Sequence, residues 1–185
     1  MKRVLALASS ILLLVGCGRK ENCLSRALQL REALLGKGCS FIAQVTADYG
    51  DKVYSFTMEC SSDTDGNLQF TVVLPESIAG ITGSVSSTGG KLTFDSAVLA
   101  FDLLADGEVS PVSAPWLLLH TLRSGYLSTA VEEDSLLHVT VDDSYEEDAL
   151  QLDVWLDQQN VPQSAEILWQ GRRVLTLIVG EFQFM

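Results

Sequence analysis

Apolar residues change their spacing three times along this chain. From Val4 to Val15 they run together, broken only by Ser9 and Ser10, behind the positive pair Lys2 and Arg3. From Leu24 to Gly36 they return at helical intervals: Leu24, Leu28, Arg31 and Leu35 share one stripe, and Ala27, Leu30 and Leu34 lie beside it. Gly36 and Gly38 stop that helix. Beyond them the period falls to two, which predicts strands over Cys39–Asp48, Lys52–Cys60, Leu68–Leu74, Gly83–Ser87, Lys91–Phe94 and Val98–Leu104. The alternation then lapses. After Ser110-Pro111, the segment Ala114–Leu122 carries Trp116, Leu117, Leu118, Leu119 and Leu122 without a period of two, and Gly125 closes it, so a second helix is expected. Four further strands follow, Leu136–Val141, Ala149–Asp157, Ser164–Gln170 and Arg173–Phe184.

The pattern predicts a fold that is mainly β with helices (α+β). A sheet with one apolar face needs a cover, and the only candidates are the two helical segments. The expectation is a curved antiparallel sheet under an N-terminal and an inserted helix. Phe41, Phe56, Met58 and Phe70 on the sheet, with Trp116 and Leu119 on the helix, are then the candidate lining of an apolar cleft, or else ordinary core.

The first apolar run is about a dozen residues, short of the roughly 20 that a membrane-spanning helix needs. With its positive start it reads as an export signal. It ends in Leu14-Val15-Gly16-Cys17, which resembles a lipobox: small residues admit the peptidase and the Cys17 thiol accepts diacylglycerol. Cleavage before Cys17 divides the chain into a signal peptide (1–16), a lipidated tether (17–22) and one folded domain (23–185). The expected location is the extracytoplasmic face of the cell membrane, held there by acylated Cys17.

Composition narrows the partners. The chain has 185 residues, 24 acidic against 12 basic. Loss of Lys2 and Arg3 with the signal leaves ten basic residues and a formal charge near −14. Nucleic acid is excluded as a partner, because phosphate binding relies on clustered Lys and Arg. The acidic runs Glu132-Glu133-Asp134 and Asp142–Asp148 read as solvated loops or as a docking surface for a basic partner.

With Cys17 spent on lipid, Cys23, Cys39 and Cys60 remain for an oxidising compartment. A hairpin centred between Tyr49 and Gly50 sets Cys39 opposite Cys60, Phe41 opposite Met58, Ala43 opposite Phe56 and Val45 opposite Tyr54. One face becomes apolar, and a Cys39–Cys60 disulfide is expected. The competing bond joins Cys23 to Cys39 or Cys60 and clamps the first helix to the sheet.

Candidate chemistry is thin. A hydrolytic triad needs a base, but His120 sits among leucines and His138 within a strand, neither in a recognisable motif. Asp63-Thr64-Asp65-Gly66-Asn67 begins like a calcium loop, yet its glycine position holds Leu68 and its bidentate acid position Leu74, so a plain turn is expected. No metal site and no cofactor are expected.

Val154-Trp155-Leu156-Asp157, Pro162, Ala165-Glu166-Ile167 and the ending Phe182-Gln183-Phe184 resemble the C-terminal half of LolA-like domains. The order of leading helix, hairpin with Asp48-Tyr49-Gly50, strand into Pro75-Glu76 and embedded helix is similar to that superfamily across nearly the whole mature chain. The resemblance implies an unclosed barrel whose helix-covered concave face holds acyl chains or presents a docking surface. A lipid-anchored form with extra cysteines is most similar to the GerS-type spore-germination lipoproteins of clostridia. That implies a non-enzymatic role beside a cell-wall-processing protein, with lipid or lipoprotein carriage as the alternative.

Overall fold

The computed structural model describes residues 22–105, 108–146 and 149–185; the signal segment, Cys17 and the tether up to residue 21 lie outside the described residues. No helix among the described residues is long and apolar enough to cross a membrane.

Helix α1 covers 22–36. Its sequence offers two apolar stripes, and the buried one is Cys23, Ala27, Leu30 and Leu34, while Leu24, Leu28 and Leu35 are exposed. Of the two stripes, the one through Leu24, Leu28, Arg31 and Leu35 stays outside the core. The reason is charge: that stripe contains Arg31, whereas the other is uncharged and has the small side chains of Cys23 and Ala27, which let the helix approach the sheet. The arginines fix the helix from its flanks. Arg31 donates from Nε to the Leu122 carbonyl and from Nη2 to the Gly125 carbonyl, both at 2.7 Å. Arg26 likewise reaches the Asp157 carbonyl and Asn160 Oδ1.

The strands are β1 (Cys39–Asp48), β2 (Val53–Ser62), β3 (Leu68–Leu74), β4 (Thr82–Ser86), β5 (Gly89–Phe94), β6 (Ala97–Phe101), β7 (Leu104–Ala105), β8 (Glu108–Val109), β9 (Tyr126–Glu133), β10 (Leu136–Asp142), β11 (Gln151–Leu156), β12 (Pro162–Trp169) and β13 (Arg172–Phe184). Eleven form one sheet in the order β6-β5-β4-β3-β2-β1-β13-β12-β11-β10-β9, every pairing antiparallel, with β7 and β8 as a separate ribbon. Among the described residues, β6 and β9 have no further strand beside them at the two edges, so the sheet does not close into a barrel. The last strand lies beside the first, so the β1–β13 pairing joins the two halves of the chain.

The first hairpin has the expected faces but a different register. Tyr49 N–H donates to the Lys52 carbonyl, Gly50 takes φ +90°, and the turn centres between Gly50 and Asp51. Phe41 therefore faces Cys60, Ala43 faces Met58, Val45 faces Phe56 and Ala47 faces Tyr54. A slip of two residues preserves which side chains point inward, which is why the apolar pattern alone accepted either register. In the outer half of the sheet, Gly83 allows close approach: a Cβ there would fall 2.6 Å from the Lys91 carbonyl oxygen and against the Phe70 ring.

Helix α2 (Ala114–Ser124) opens with Pro115 and buries Ala114, Trp116, Leu117, Leu118, Leu119 and Leu122. It packs on β10, β12 and β13. Arg123, in its last turn, donates to the Leu34 carbonyl at 2.8 Å and also reaches the Thr64 carbonyl, so α2, the end of α1 and the β2–β3 turn are tied together.

Candidate functional site

All six expected cleft residues come together, but as core. Phe41, Phe56, Met58, Phe70, Trp116 and Leu119 are between 0 and 8 % exposed. Side chains from both helices fill the covered face of the sheet, with Leu34, Leu118, Leu137, Leu152 and Leu177 fully buried there. Trp116 turns its indole N–H outward to the Gly66 carbonyl, 2.9 Å away, so its polar atom is satisfied at the rim of this core.

Two cavities frame that packed layer. The larger, about 1030 Å³, lies across β1–β6 and β13, with the outward-pointing Glu59, Ser61, Gln69, Thr71, Ser84 and Glu181 among its walls. Those polar groups share its lining with Ile42, Cys60, Val98 and two of the expected cleft residues, Phe41 and Phe70. The smaller, about 230 Å³, sits beside α2 between Trp116, Leu117, Leu150 and Trp169, with His120 and Asp143 also lining it. It is below the roughly 300–1,000 Å³ of ordinary ligand pockets.

The three thiols of the folded domain are buried and unbonded. Cys39 faces Ser62 and Cys60 faces Phe41, so the expected Cys39–Cys60 bond, drawn between directly opposed residues, is corrected. The two cysteines are diagonal neighbours, a separation that a disulfide spans only with backbone movement. Burial pushes the Cys39 thiol up from 9.0 to about 11, against the opposing pull of Arg123, and raises Cys60 further still. A raised pKa means that folding favours the neutral thiol. That contribution is complete below pH about 9 and is lost as pH climbs through about 11. The urea midpoint is therefore expected to fall between pH 8 and pH 11; an unchanged midpoint would mean the thiols are not held in the core.

The histidines are occupied. His120 stacks on Trp116 with ring centroids 4.3 Å apart, and burial holds its imidazole below the ordinary value against the pull of Asp143. His138 stacks on Trp155 and places Nε2 3.0 Å from Asp153 Oδ1, with Nδ1 3.5 Å from Glu133. Thr140 Oγ1 also donates to Asp153, at 2.7 Å. The hydroxyl thus bonds the acid rather than the imidazole, and the order that activates a nucleophile is missing at this cluster. At the Asp63 turn both carboxylate oxygens accept from Asn67, at 2.9 Å each, and the Gly66 N–H closes the loop on the Asp63 carbonyl. Those lone pairs are directed into the turn, as in a plain Asx-type loop.

No protein-family model matches the chain, and no curated protein matches it in sequence. Among solved structures it is similar to a DUF1329 family protein from Desulfovibrio piger, with a TM-score of 0.49 and 8 % identity over 90 % of this chain and 93 % of the other. A LolA superfamily protein from Nitrosomonas europaea gives a TM-score of 0.44 and 10 % identity over 86 % and 93 %. A chain of the complex between the CwlD amidase and the GerS lipoprotein of Clostridioides difficile gives 0.44 and 12 % over 80 % and 87 %. The chain is thus similar in its course to LolA superfamily and lipoprotein structures at low sequence identity.

Proposed function

We propose that this chain is a lipoprotein held through acylated Cys17 on the extracytoplasmic face of the cell membrane, and that its domain is a non-enzymatic binding module for a cell-wall-processing protein. The observation that carries partner binding over lipid carriage is the packing of the helix-covered face. Met58 and Leu118 are each 0 % exposed there, and the one cavity beside α2 holds about 230 Å³. An acyl chain has no room between the helices and the sheet unless that core opens, at the cost of the close packing that stabilises it.

A second feature favours a protein partner. Edge strand β6 is unpaired along one side, and Val98 and Leu99 on it are 66 % and 64 % exposed, next to exposed Phe94. Natural sheets usually blunt an edge with charge or cover it, so an open apolar edge is suited to pairing with another chain.

The experiment is affinity purification from native membranes of the wild type and of a Val98→Lys, Leu99→Lys variant. Both positions are at the surface, so melting is expected to be nearly unchanged. A cell-wall-processing protein is expected with the wild type and not with the variant; its absence from both, or its equal recovery with both, contradicts the proposal.

A further inference from the structure

We infer that α1 rests on the membrane surface, with Leu24, Leu28 and Leu35 set against the lipid beside the anchor. The inference rests on the acylated Cys17 proposed above and goes beyond it, from attachment to orientation.

α1 has two apolar stripes, and the core uses one. Leu24, Leu28 and Leu35 remain 45, 47 and 52 % exposed. They share one face of the helix and extend along it for roughly 16 Å. Arg31, the charged member of that face, does not divide it, because its guanidinium is turned aside to the Leu122 and Gly125 carbonyls. A single exposed leucine needs no explanation, but three in a row on one helix face make a contact surface.

Two observations say what covers it. The first is reach. Residues 18–21 alone separate Cys17 from the start of α1 at 22, and an extended chain covers at most about 3.6 Å per residue, so the first turn stays within about 18 Å of the acylated cysteine. A second copy or a soluble partner must find the stripe by diffusion, whereas the tether keeps the bilayer beside it at all times.

The second is charge. Residues 17–38 carry Arg19, Lys20, Arg26, Arg31 and Lys37 against Glu21 and Glu32, whereas the chain from 39 onward has five basic residues against 22 acidic ones. Arg26 and Arg31 donate to uncharged acceptors, so those bonds leave their charge in place. The acidic body is repelled by anionic lipid, and the stretch of opposite sign is the one that bears the leucines. A helix with leucine on one face and basic side chains around it is suited to lying in the plane of the interface.

The contact orients the domain without holding it. Three half-exposed leucines bury far less apolar surface than an acyl chain, so removal of the acyl chains still releases the protein. β1 follows α1 and runs ten residues before its turn, so Lys52 at that turn lies about 30 Å along the strand from the end of the helix and stays in water.

The test uses the full-length lipoprotein in vesicles of phosphatidylcholine and phosphatidylglycerol, recovered by flotation. A nitroxide is attached at Leu28→Cys or, as the control, at Lys52→Cys; Cys23, Cys39 and Cys60 are at most 5 % exposed and do not compete for the label. Collisions with a water-soluble nickel complex and with oxygen are read by electron spin resonance, and compared with the acyl-free Cys17→Ser protein in solution. At position 28 the vesicles are expected to bring a loss of nickel collisions and a gain of oxygen collisions, with no change at position 52. A label at 28 that is as open to nickel on floated vesicles as in solution overturns the inference. Shielding already present in the acyl-free protein without vesicles means that protein covers the stripe, and overturns it too. Failure of the full-length protein to float refutes the anchor itself and this inference with it, so the two failures are read apart.

Discussion

Leu118→Ala is expected to lower the free energy of unfolding by about 3 to 5 kcal/mol, the upper part of the range for a truncated leucine in a closed core. Leu118 is fully buried, on the helix that packs against β10, β12 and β13. The hole left behind is walled by apolar side chains from two layers and cannot collapse without moving α2, which two other elements hold: Arg31 of α1 caps its last carbonyls, and Arg123 ties it to α1 and to the β2–β3 turn. For a domain of this size the melting temperature should fall by roughly 10 °C. An apolar cavity of this origin stays dry and takes up small aromatic molecules, so a benzene-sized probe should bind the variant and not the wild type. A loss below about 1 kcal/mol would mean that the covered face is already loose, as an open cleft would be.

Exporting the domain behind an unrelated signal peptide, with serine in place of Cys17, is expected to move it wholly from the membrane fraction to the soluble extracytoplasmic fraction. Each buried methylene contributes about 0.8 kcal/mol, so two or more long chains on one cysteine give an anchor that does not exchange, whereas a single chain would. No helix among the described residues spans a bilayer, and the formal charge near −14 that would follow loss of Lys2 and Arg3 is repelled by anionic lipid. The folded domain should be unaffected, because the anchor sits ahead of α1. Retention of the serine form on membranes would show that the domain itself carries the attachment.

The parts of the fold that were legible in the sequence are those where one physical term dominates. β1 and β3 begin and end where alternation of apolar and polar residues predicted, because each has one face in the core and one in water. Helix α2 was found from its loss of that alternation, and it runs only two residues past the expected end. Strand β9 was missed. It lies at a sheet edge and is exposed on both faces along most of its length, so burial imposes no period on Tyr126–Glu133. The buried face of α1 was not decided by the sequence, because two apolar stripes compete on it, and only the arginine contacts, made across more than 90 residues of sequence, decide between them. The disulfide expectation failed for a related reason. Turn length sets register, and a turn centred one residue later moves Cys60 from Cys39 to Phe41 without changing which side it points to.

The candidate site was legible in composition but not in state. All six aromatic and aliphatic residues chosen for a cleft do meet, yet sequence alone does not say whether an apolar layer between sheet and helices is full or hollow; packing decides that.

The most direct test is native mass spectrometry of the protein purified from membranes in mild detergent. A filled core predicts the polypeptide from Cys17 onward plus its covalent acyl groups and nothing else. A stoichiometric, non-covalent acyl lipid that leaves on denaturation would contradict it.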